Sequence, residues 1–355
     1  MIQNSVFLFL FLFFSLTLVK VCVGDELELN VCVPDVFIIG VTKGGTTSLE
    51  ELLDRHGQVC TGKSKEKHYF EGRMTQDAYI KEYENCLANQ LKLDKTPSYI
   101  RSEVAAKRIK MSYTAEQLSK KKFILVLRDP VLRMYSEFQM ALRYCNKLFV
   151  EDDADDMSRT KAEALLARAK SKKTLSSGRS DKSSRWYSLC QQVATNTTRA
   201  KTASDLTFKS FSSYQRRREK ADGGSYVRQL QRWTKNLPRS QLLIFNMNHV
   251  IMNTTASSHA LAAFLQLDSD FGREVTLSRL NVHNYSYSDS VGGLTGNIRK
   301  PRAPPLTCSG VKEFQRRRIE DYDELHKLIN DAPDRPVMEP YFQPFQRRDS
   351  LDKCV

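Results

Sequence analysis

The chain has 355 residues, with 55 Lys+Arg against 41 Asp+Glu and a formal charge of +14. Hydrophobic residues make up 41% and charged ones 27%, with 15 Gly and 11 Pro. Those are the proportions of a globular protein and exclude a collagen-like, wholly disordered or polytopic membrane chain. A chain this long buries a sizeable core, as one large domain or two smaller ones. Its 8 Cys show neither repeated CxxC pairs nor a Cys/His cluster, so no metal site is expected.

The N-terminal residues 5–19 form one apolar stretch that ends at Lys20. That length suits a signal-peptide core and falls short of the roughly 20 residues that cross a bilayer. Cys22 and Gly24 place small residues at −3 and −1 of a cut before Asp25. Residues 1–24 are therefore expected to be a cleaved signal, with an uncleaved type II anchor as the alternative; only the anchor would make the membrane a partner. Cleavage leaves 355 − 24 = 331 residues, a charge of 54 − 41 = +13, and seven cysteines at 32, 60, 86, 145, 190, 308 and 354. In an oxidising lumen some of these pair, and an odd count leaves at least one thiol unpaired or intermolecular. Asn196, Asn253 and Asn284 each open an acceptor sequon, in agreement with secretory passage.

Asp35–Gly40 reads as a short buried strand, VFIIG, rich in β-branched and aromatic residues. A glycine turn, TKGGTT, follows, and SLEELLDRH then has helical spacing with Leu49, Leu52 and Leu53 on one face. Strand, glycine turn and helix open a parallel α/β fold. KFILVL at 122–127 is a second buried strand, leading through RDP into a helix from Val131 to about Tyr144, with Pro130 in the tolerated first turn. Gln241–Phe245 is a third strand, ahead of a helical stretch around Ser257–Leu265. Between them, residues 146–223 pass from an acidic run to a Lys/Ser/Arg-rich segment and read as a charged insertion or linker. Residues 286–307, with their Gly and Pro, read as a loop.

The most informative segment runs from Gly40 to Ser48, GVTKGGTTS. A strand entering a glycine turn and then a helix gathers free backbone N–H groups at one point, a ready anion site. Gly44 and Gly45 let the backbone approach a phosphate closely. Thr46, Thr47 and Ser48 add hydroxyls, and Lys43 adds a positive charge. A plain tight turn capped by a Thr is the bland alternative. The spacing departs from a Walker A loop, because Thr46 stands where its lysine should be and the lysine lies inside the turn. With no Walker B strand evident, a Mg²⁺-dependent ATP or GTP hydrolase is disfavoured.

VFIIGVTKGGTTSL resembles the 5′-phosphosulfate loop of sulfotransferases that use 3′-phosphoadenylyl sulfate (PAPS). KSKEKHYF at 63–70, LDKTPSYI at 93–100 and LRDPVLRMYSEF at 127–138 match in the expected order. The likeness is to the Golgi carbohydrate sulfotransferases, in particular the heparan-sulfate and chondroitin-type branch. It covers residues 35–145 well and 224–267 more loosely. The resemblance implies an α/β, P-loop-like fold with a central parallel sheet flanked by helices, over a domain spanning 35–345. It implies PAPS as co-substrate, with no metal required.

Within that family pattern Lys43 neutralises the leaving phosphate, while Gly44, Gly45, Thr46, Thr47 and Ser48 hold it. Glu66 falls at the general base, a role that suits a carboxylate whose pKa is raised toward neutrality. His68 is the competing base, since its ordinary pKa already lies near neutrality. Lys67 stands where the family commonly has proline. Lys95 would face the reacting centre; without the resemblance it reads as a surface lysine. Arg128 and Ser136 would take the 3′-phosphate, against the alternative of an Arg128–Asp129 pair at the helix start. Arg299, Lys300 or Arg302 is the nearest counterpart of the family's late nucleotide-covering loop.

A charge of +13 on a lumenal enzyme, after removal of Lys20 (54 − 41), fits an anionic polysaccharide acceptor such as a glycosaminoglycan. The leader and the sequons argue against a nucleic-acid partner. A non-catalytic secreted heparin- or glycan-binding protein is the main non-enzyme rival, and a P-loop nucleotide kinase the enzymatic one. Acceptor sugar and oligomeric state are not legible.

Overall fold

The computed structural model describes residues 22–23, 31–149, 225–268, 319–343 and 345. A small antiparallel ribbon pairs β1 (Cys22–Val23) with β2 (Val31–Cys32). There follow β3 (Val36–Gly40), α1 (Thr46–Asp54), β4 (Val59–Cys60), α2 (Gln76–Lys81), β5 (Leu91–Lys95), α3 (Glu103–Ser112), α4 (Ala115–Ser119) and β6 (Lys122–Leu127). Beyond β6 come α5 (Pro130–Phe149), α6 (Tyr226–Thr234), β7 (Leu242–Asn246), α7 (Met247–Met252), α8 (Thr254–Leu265) and α9 (Ile319–Asn330). The chain divides into two compact units, one of residues 1–127, 226–278 and 327–343, the other of 128–225, 279–326 and 344–355.

The first unit holds a five-stranded sheet in the order β4–β5–β3–β6–β7, every pairing parallel. The first long strand lies at the centre, and helices flank the sheet, which is the expected P-loop-like arrangement. Strand alternation sorts the core onto two faces. Val36, Ile38, Val126, Leu243 and Phe245 pack in one cluster with Leu49, Leu52 and Leu53 of α1 and Leu261 and Phe264 of α8. From the intervening positions, Phe37 stacks on Phe123 at 4.9 Å, and Phe123 meets Trp233 of α6 at 6.0 Å. Helix α1 has only 9 residues, too few to persist alone in water. Its buried leucines, each contributing about 1.5–3 kcal/mol, hold it on the sheet.

β5 was not evident in the sequence. LKLDK has three charged residues in five, and no apolar run marks it. Tertiary partners allow its last two residues, Asp94 and Lys95, to be buried to 0% and 1% exposure. On the far edge, β4 is tied by a Cys60–Cys86 disulfide closing a separation of 26 residues. Replacing both cysteines by serine should lower unfolding free energy by about 2–4 kcal/mol, read from urea midpoints with and without reductant. An unchanged midpoint in the double variant would show that the loop is held by other contacts.

In the second unit α5 begins at Pro130, as expected, and runs to Phe149, past the expected end near Tyr144. The charged segment anticipated at 146–223 lies outside the described residues from 150 onward, as does the loop at 286–307.

Candidate active site

The turn after β3 is shaped by two backbone hydrogen bonds. Val41 N–H donates to Val126 O at 3.0 Å, and Gly44 N–H donates to Val41 O at 2.8 Å. A Cβ on residue 44 would lie 2.6 Å from Val126 O, so only glycine fits there. Lys43 and Gly45 both take left-handed backbone, at φ 66° and 95°. Gly45, and not a threonine, is the residue at the start of α1, and no side chain caps the helix. Among the described residues the amides of Gly45, Thr46 and Thr47 have no hydrogen-bond acceptor. A threonine-capped turn would have used those donors. Thr46 is buried, whereas Thr47, Ser48 and Lys43 are half-buried.

A second group gathers at the C-terminal end of β5. Thr96 Oγ1 donates to Asp94 Oδ1 at 2.7 Å and accepts the backbone N–H groups of Lys67 (3.2 Å) and His68 (3.3 Å). Asp94 also accepts from Tyr79 and Tyr99 hydroxyls at 2.8 and 3.0 Å. This buried anchor fixes the segment Glu66–His68 against the strand. Proline at 67 would forfeit one of its bonds; here the Lys67 side chain is buried and its ammonium donates to Thr61 O (2.8 Å) and Ser64 O (3.0 Å). Burial pushes the Lys67 ammonium below its ordinary pKa.

His68 stands at φ 55°, with Nε2 3.3 Å from Glu66 Oε2 and Nδ1 2.9 Å from Glu71 Oε2. Each ring nitrogen faces a carboxylate, and an imidazolium satisfies both. The hydrogen bonds to Glu66 and then Glu71 raise the His68 pKa against the effect of burial. For Glu66, burial works to raise the pKa, but the His68 hydrogen bond and the charges of Lys95, His68 and Lys65 outweigh it and hold the carboxyl below its ordinary value. The condition of a raised pKa is therefore not met at Glu66: burial is the largest single influence, but the His68 hydrogen bond and the three cations together exceed it. Lys95 is not a surface residue. Its side chain is 0% exposed, and its Nζ lies 2.9 Å from Glu50 Oε2 on α1.

The linkage of His68 to stability has a definite sign. A raised folded pKa stabilises fully below the ordinary value of 6.5 and is lost as pH climbs through the raised value. His68→Asn, which tolerates left-handed backbone, should therefore cost more stability at about pH 6 than at about pH 9. Urea midpoints of the two proteins at both pH values check this, and an equal gap at both contradicts it.

The second unit carries the other expected phosphate ligands. Arg128 is half-buried and Ser136 is buried on α5. Asp129 Oδ1 accepts the N–H groups of Val131 and Leu132, both at 2.9 Å. The helix start is thus closed by its own aspartate through backbone amides, and those amides are not open to a phosphate. Asp129 Oδ2 accepts the Tyr322 hydroxyl at 3.3 Å. Arg299, Lys300, Arg302, Asn196 and Asn284 lie outside the described residues. Asn253 is exposed and caps α8, its side chain accepting Ala256 N–H at 3.2 Å.

Sequence reasoning missed Glu50, Glu71, Asp94 and Thr96. Glu71 had a faint signal, three residues after His68 in a helical stride. Asp94 and Thr96 lay within the LDKTPSYI motif with no role of their own, and Glu50 had no signal, because their roles come from the register that brings α1 and β5 together. Among the described residues no group of His, Cys, Asp and Glu is placed to hold a metal, and no helix is long and apolar enough to cross a membrane.

Residues 33–289 match the family model described as a sulfotransferase domain. The chain is 33% identical over 131 residues to the membrane-associated sulfotransferase kil1 of Dictyostelium discoideum, covering 36% of this chain and 26% of that protein. It is 32% identical over 114 residues to human heparan sulfate glucosamine 3-O-sulfotransferase 5, 31% of each chain. Against the human 3-O-sulfotransferase 3B1 the identity is 36% over 114 residues, 31% of this chain and 27% of the relative. The match thus spans about a quarter to a third of the length of these curated relatives. Among solved structures, a sulfotransferase from Alicyclobacillus acidocaldarius aligns over 84% of this chain and 96% of its own, with a TM-score of 0.47 and 17% identity.

Proposed function

Since the chain belongs to the sulfotransferase domain family, matched over residues 33–289, we propose that it transfers a sulfuryl group from PAPS to a hydroxyl or amine of a carbohydrate, the acceptor being an anionic polysaccharide of the glycosaminoglycan type. The observation that carries this reading is the cluster of Glu66, His68 and Lys95 at the end of β5, reached by Glu50 of the helix that begins at the Lys43 turn.

In this reading the unpaired amides of Gly45, Thr46 and Thr47 hold the 5′-phosphate, with the Thr47 and Ser48 hydroxyls beside them. The bond from sulfur to the bridging phosphate oxygen breaks as the bond from sulfur to the acceptor oxygen forms. Negative charge builds on the departing oxygen, and Lys43 neutralises it. Glu66, ionised throughout the neutral range, takes the acceptor proton. The His68 imidazolium orients that carboxylate and is itself held by Glu71. Lys95 steadies the sulfuryl oxygens. Arg128 and Ser136 bind the 3′-phosphate, and one of Arg299, Lys300 and Arg302 covers the nucleotide. A base of lowered pKa is weak, so positioning supplies much of the rate. The net positive charge draws in the polyanion. Similarity to heparan sulfate enzymes and to a membrane-associated one supports a place in the secretory pathway, with Asn253 exposed for glycosylation.

The test incubates the purified full chain with sulfur-labelled PAPS and a panel of glycans including heparan sulfate, with and without EDTA. Label on a glycan, undiminished by EDTA, is expected. A folded protein that labels none of them would overturn the enzyme reading, and Mg²⁺-dependent transfer from ATP would replace it with the kinase. Glu66→Gln should lose at least ~10²-fold in kcat, the usual worth of a positioned base. Full rate in that variant together with a dead His68→Ala would move the base to His68.

A further inference from the structure

Between Glu66 and His68 stands a buried side chain that the proposed chemistry does not use. Lys67 is 2% exposed. Its side-chain nitrogen donates to Thr61 O at 2.8 Å and to Ser64 O at 3.0 Å, and lies 5.3 Å from the centre of the Tyr83 ring. The loop before Glu66 is folded around that nitrogen. A Cβ on Gly62 would come within 3.1 Å of Lys67 Cε and 3.3 Å of its Nζ. Glu82 holds the same loop from another direction. Its carboxylate accepts the Ser64 N–H at 2.6 Å and the Ser64 hydroxyl at 2.7 Å, and its backbone O accepts the Lys63 N–H at 3.2 Å. Lysine has three N–H donors when charged and two when neutral, and two carbonyls take two. The hold therefore works in either protonation state.

Glu66 needs such a hold. Its side chain is 41% exposed, and its ion-pair partner is His68 at 3.3 Å. Where the carboxylate points is then set by the backbone on either side of it. After Glu66, the Lys67 and His68 amides are fixed on Thr96. Before it, Ser64 is fixed by Glu82 and by the Lys67 side chain. Lys67 joins these two anchors, its amide belonging to one and its side chain to the other. We infer that Lys67 is a positioning residue: by tying its amide to Thr96 and its side chain to Thr61 and Ser64, it closes the loop 61–67 and holds the Glu66 carboxylate against His68. The inference deepens the proposed sulfuryl transfer and rests on it only for Glu66 being the base.

The titration of His68 tests this without reference to activity. Glu66, Glu71, Arg73 and the Ser98 hydroxyl face its ring, and the Glu66 hydrogen bond is the largest influence raising it above 6.5. In full-length protein carrying ¹³C-labelled histidine, the His68 resonance is assigned by its loss in His68→Asn and followed against pH. Its midpoint should fall toward 6.5 in Lys67→Met, because the released loop no longer presents Glu66. Loss of a nearby cation would by itself move it upward, so the sign separates positioning from simple charge. In the transfer assay, Lys67→Met should lower kcat about tenfold or more, since a misplacement of about 1 Å can cost ~10²-fold, with the KM for PAPS little changed. Lys121 is the control, 4% exposed and paired with Asp35 at the other end of the sheet. Lys121→Met should lower the urea midpoint but leave kcat and the His68 midpoint at wild-type values. Gly62→Ala keeps every charge and crowds Lys67 Nζ; it should move both readings as Lys67→Met does, and replaces that variant if it fails to fold. A His68 midpoint unmoved or raised in folded Lys67→Met, or in Gly62→Ala where that alone folds, overturns the inference. A lowered midpoint with unchanged kcat overturns the positioning role in transfer. A lowered midpoint in a chain that transfers no sulfuryl group to any acceptor overturns the functional reading and upholds the hold on Glu66.

Discussion

Lys43→Ala should cut the rate of sulfuryl transfer by at least ~10²–10³-fold, the cost of removing one donor from a developing oxyanion, about 2.7–4 kcal/mol. The loss should fall on kcat more than on affinity for adenosine 3′,5′-bisphosphate. In the proposed reaction the charge that Lys43 would meet is largest when the bond to the leaving phosphate is broken, and an interaction made mainly at that point raises turnover more than binding. The fold should survive. Lys43 already occupies left-handed backbone at φ 66°, and alanine pays the same steric cost there as lysine. Gly44 and Gly45, which the turn requires by close approach and by φ, are untouched. Single-turnover rates at saturating PAPS, with calorimetric binding of the spent nucleotide, are the measurements. A variant within threefold of wild type would remove Lys43 from the chemistry and leave the turn as a binding element alone.

Glu339→Ala should be the most destabilising single change in the first unit, by about 3–5 kcal/mol against a typical total of 5–15 kcal/mol. Glu339 is 3% exposed, pairs with the buried guanidinium of Arg239 through Oε1, and accepts Ile244 N–H at 2.7 Å through Oε2. That amide belongs to β7, the last strand of the sheet among the described residues, and the carboxylate covers it where none of their strands does. Nearby, Asn246 Nδ2 donates to Gln343 O at 2.9 Å, and Asn330 Oδ1 accepts Phe342 N–H at 2.9 Å. Removing the carboxylate leaves Arg239 charged, buried and with the Nε that already lacks an acceptor. Burial raises the Glu339 carboxyl despite Arg239, which shows how much desolvation the pair bears. The double change Arg239→Met with Glu339→Leu should accordingly recover most of the loss. Urea unfolding of the wild type and the two variants decides it. A double variant as unstable as Glu339→Ala would mean that the Ile244 amide, and not the orphaned cation, dominates.

Much of the framework of the candidate site was legible along the chain. VFIIG and KFILVL are apolar runs of strand length, and the glycine turn between the first of them and an amphipathic helix is a local code; the positive φ at Gly45 and the close packing of residue 44 against Val126 O were decided by the fold. The element that completes the site was not legible in this way. LKLDK alternates charge with leucine, and its burial depends on partners brought from Tyr79, Tyr99 and Glu50. Helix α5 was anticipated, but the capture of its first amides by Asp129 shows that a nearby carboxylate can claim a helix start that the motif alone would leave to a ligand.

Local order therefore singled out the candidates for the chemistry: a lysine in a glycine turn, a Glu-x-His triplet and a lysine after an aspartate. Only the folded chain decided their charge states and burial. Pairing β3 with β5 sets Ile38 opposite Lys95, and that register carries a lysine without exposed surface to a glutamate on α1. It also sets Thr96 under the Lys67 and His68 amides, so that His68 bridges two carboxylates and Glu66 is held ionised instead of being raised toward neutrality. The physical reason is range. Backbone preference and hydrophobic periodicity act over a few residues, whereas a pKa is set by every charge and all the burial that distant segments bring to a side chain.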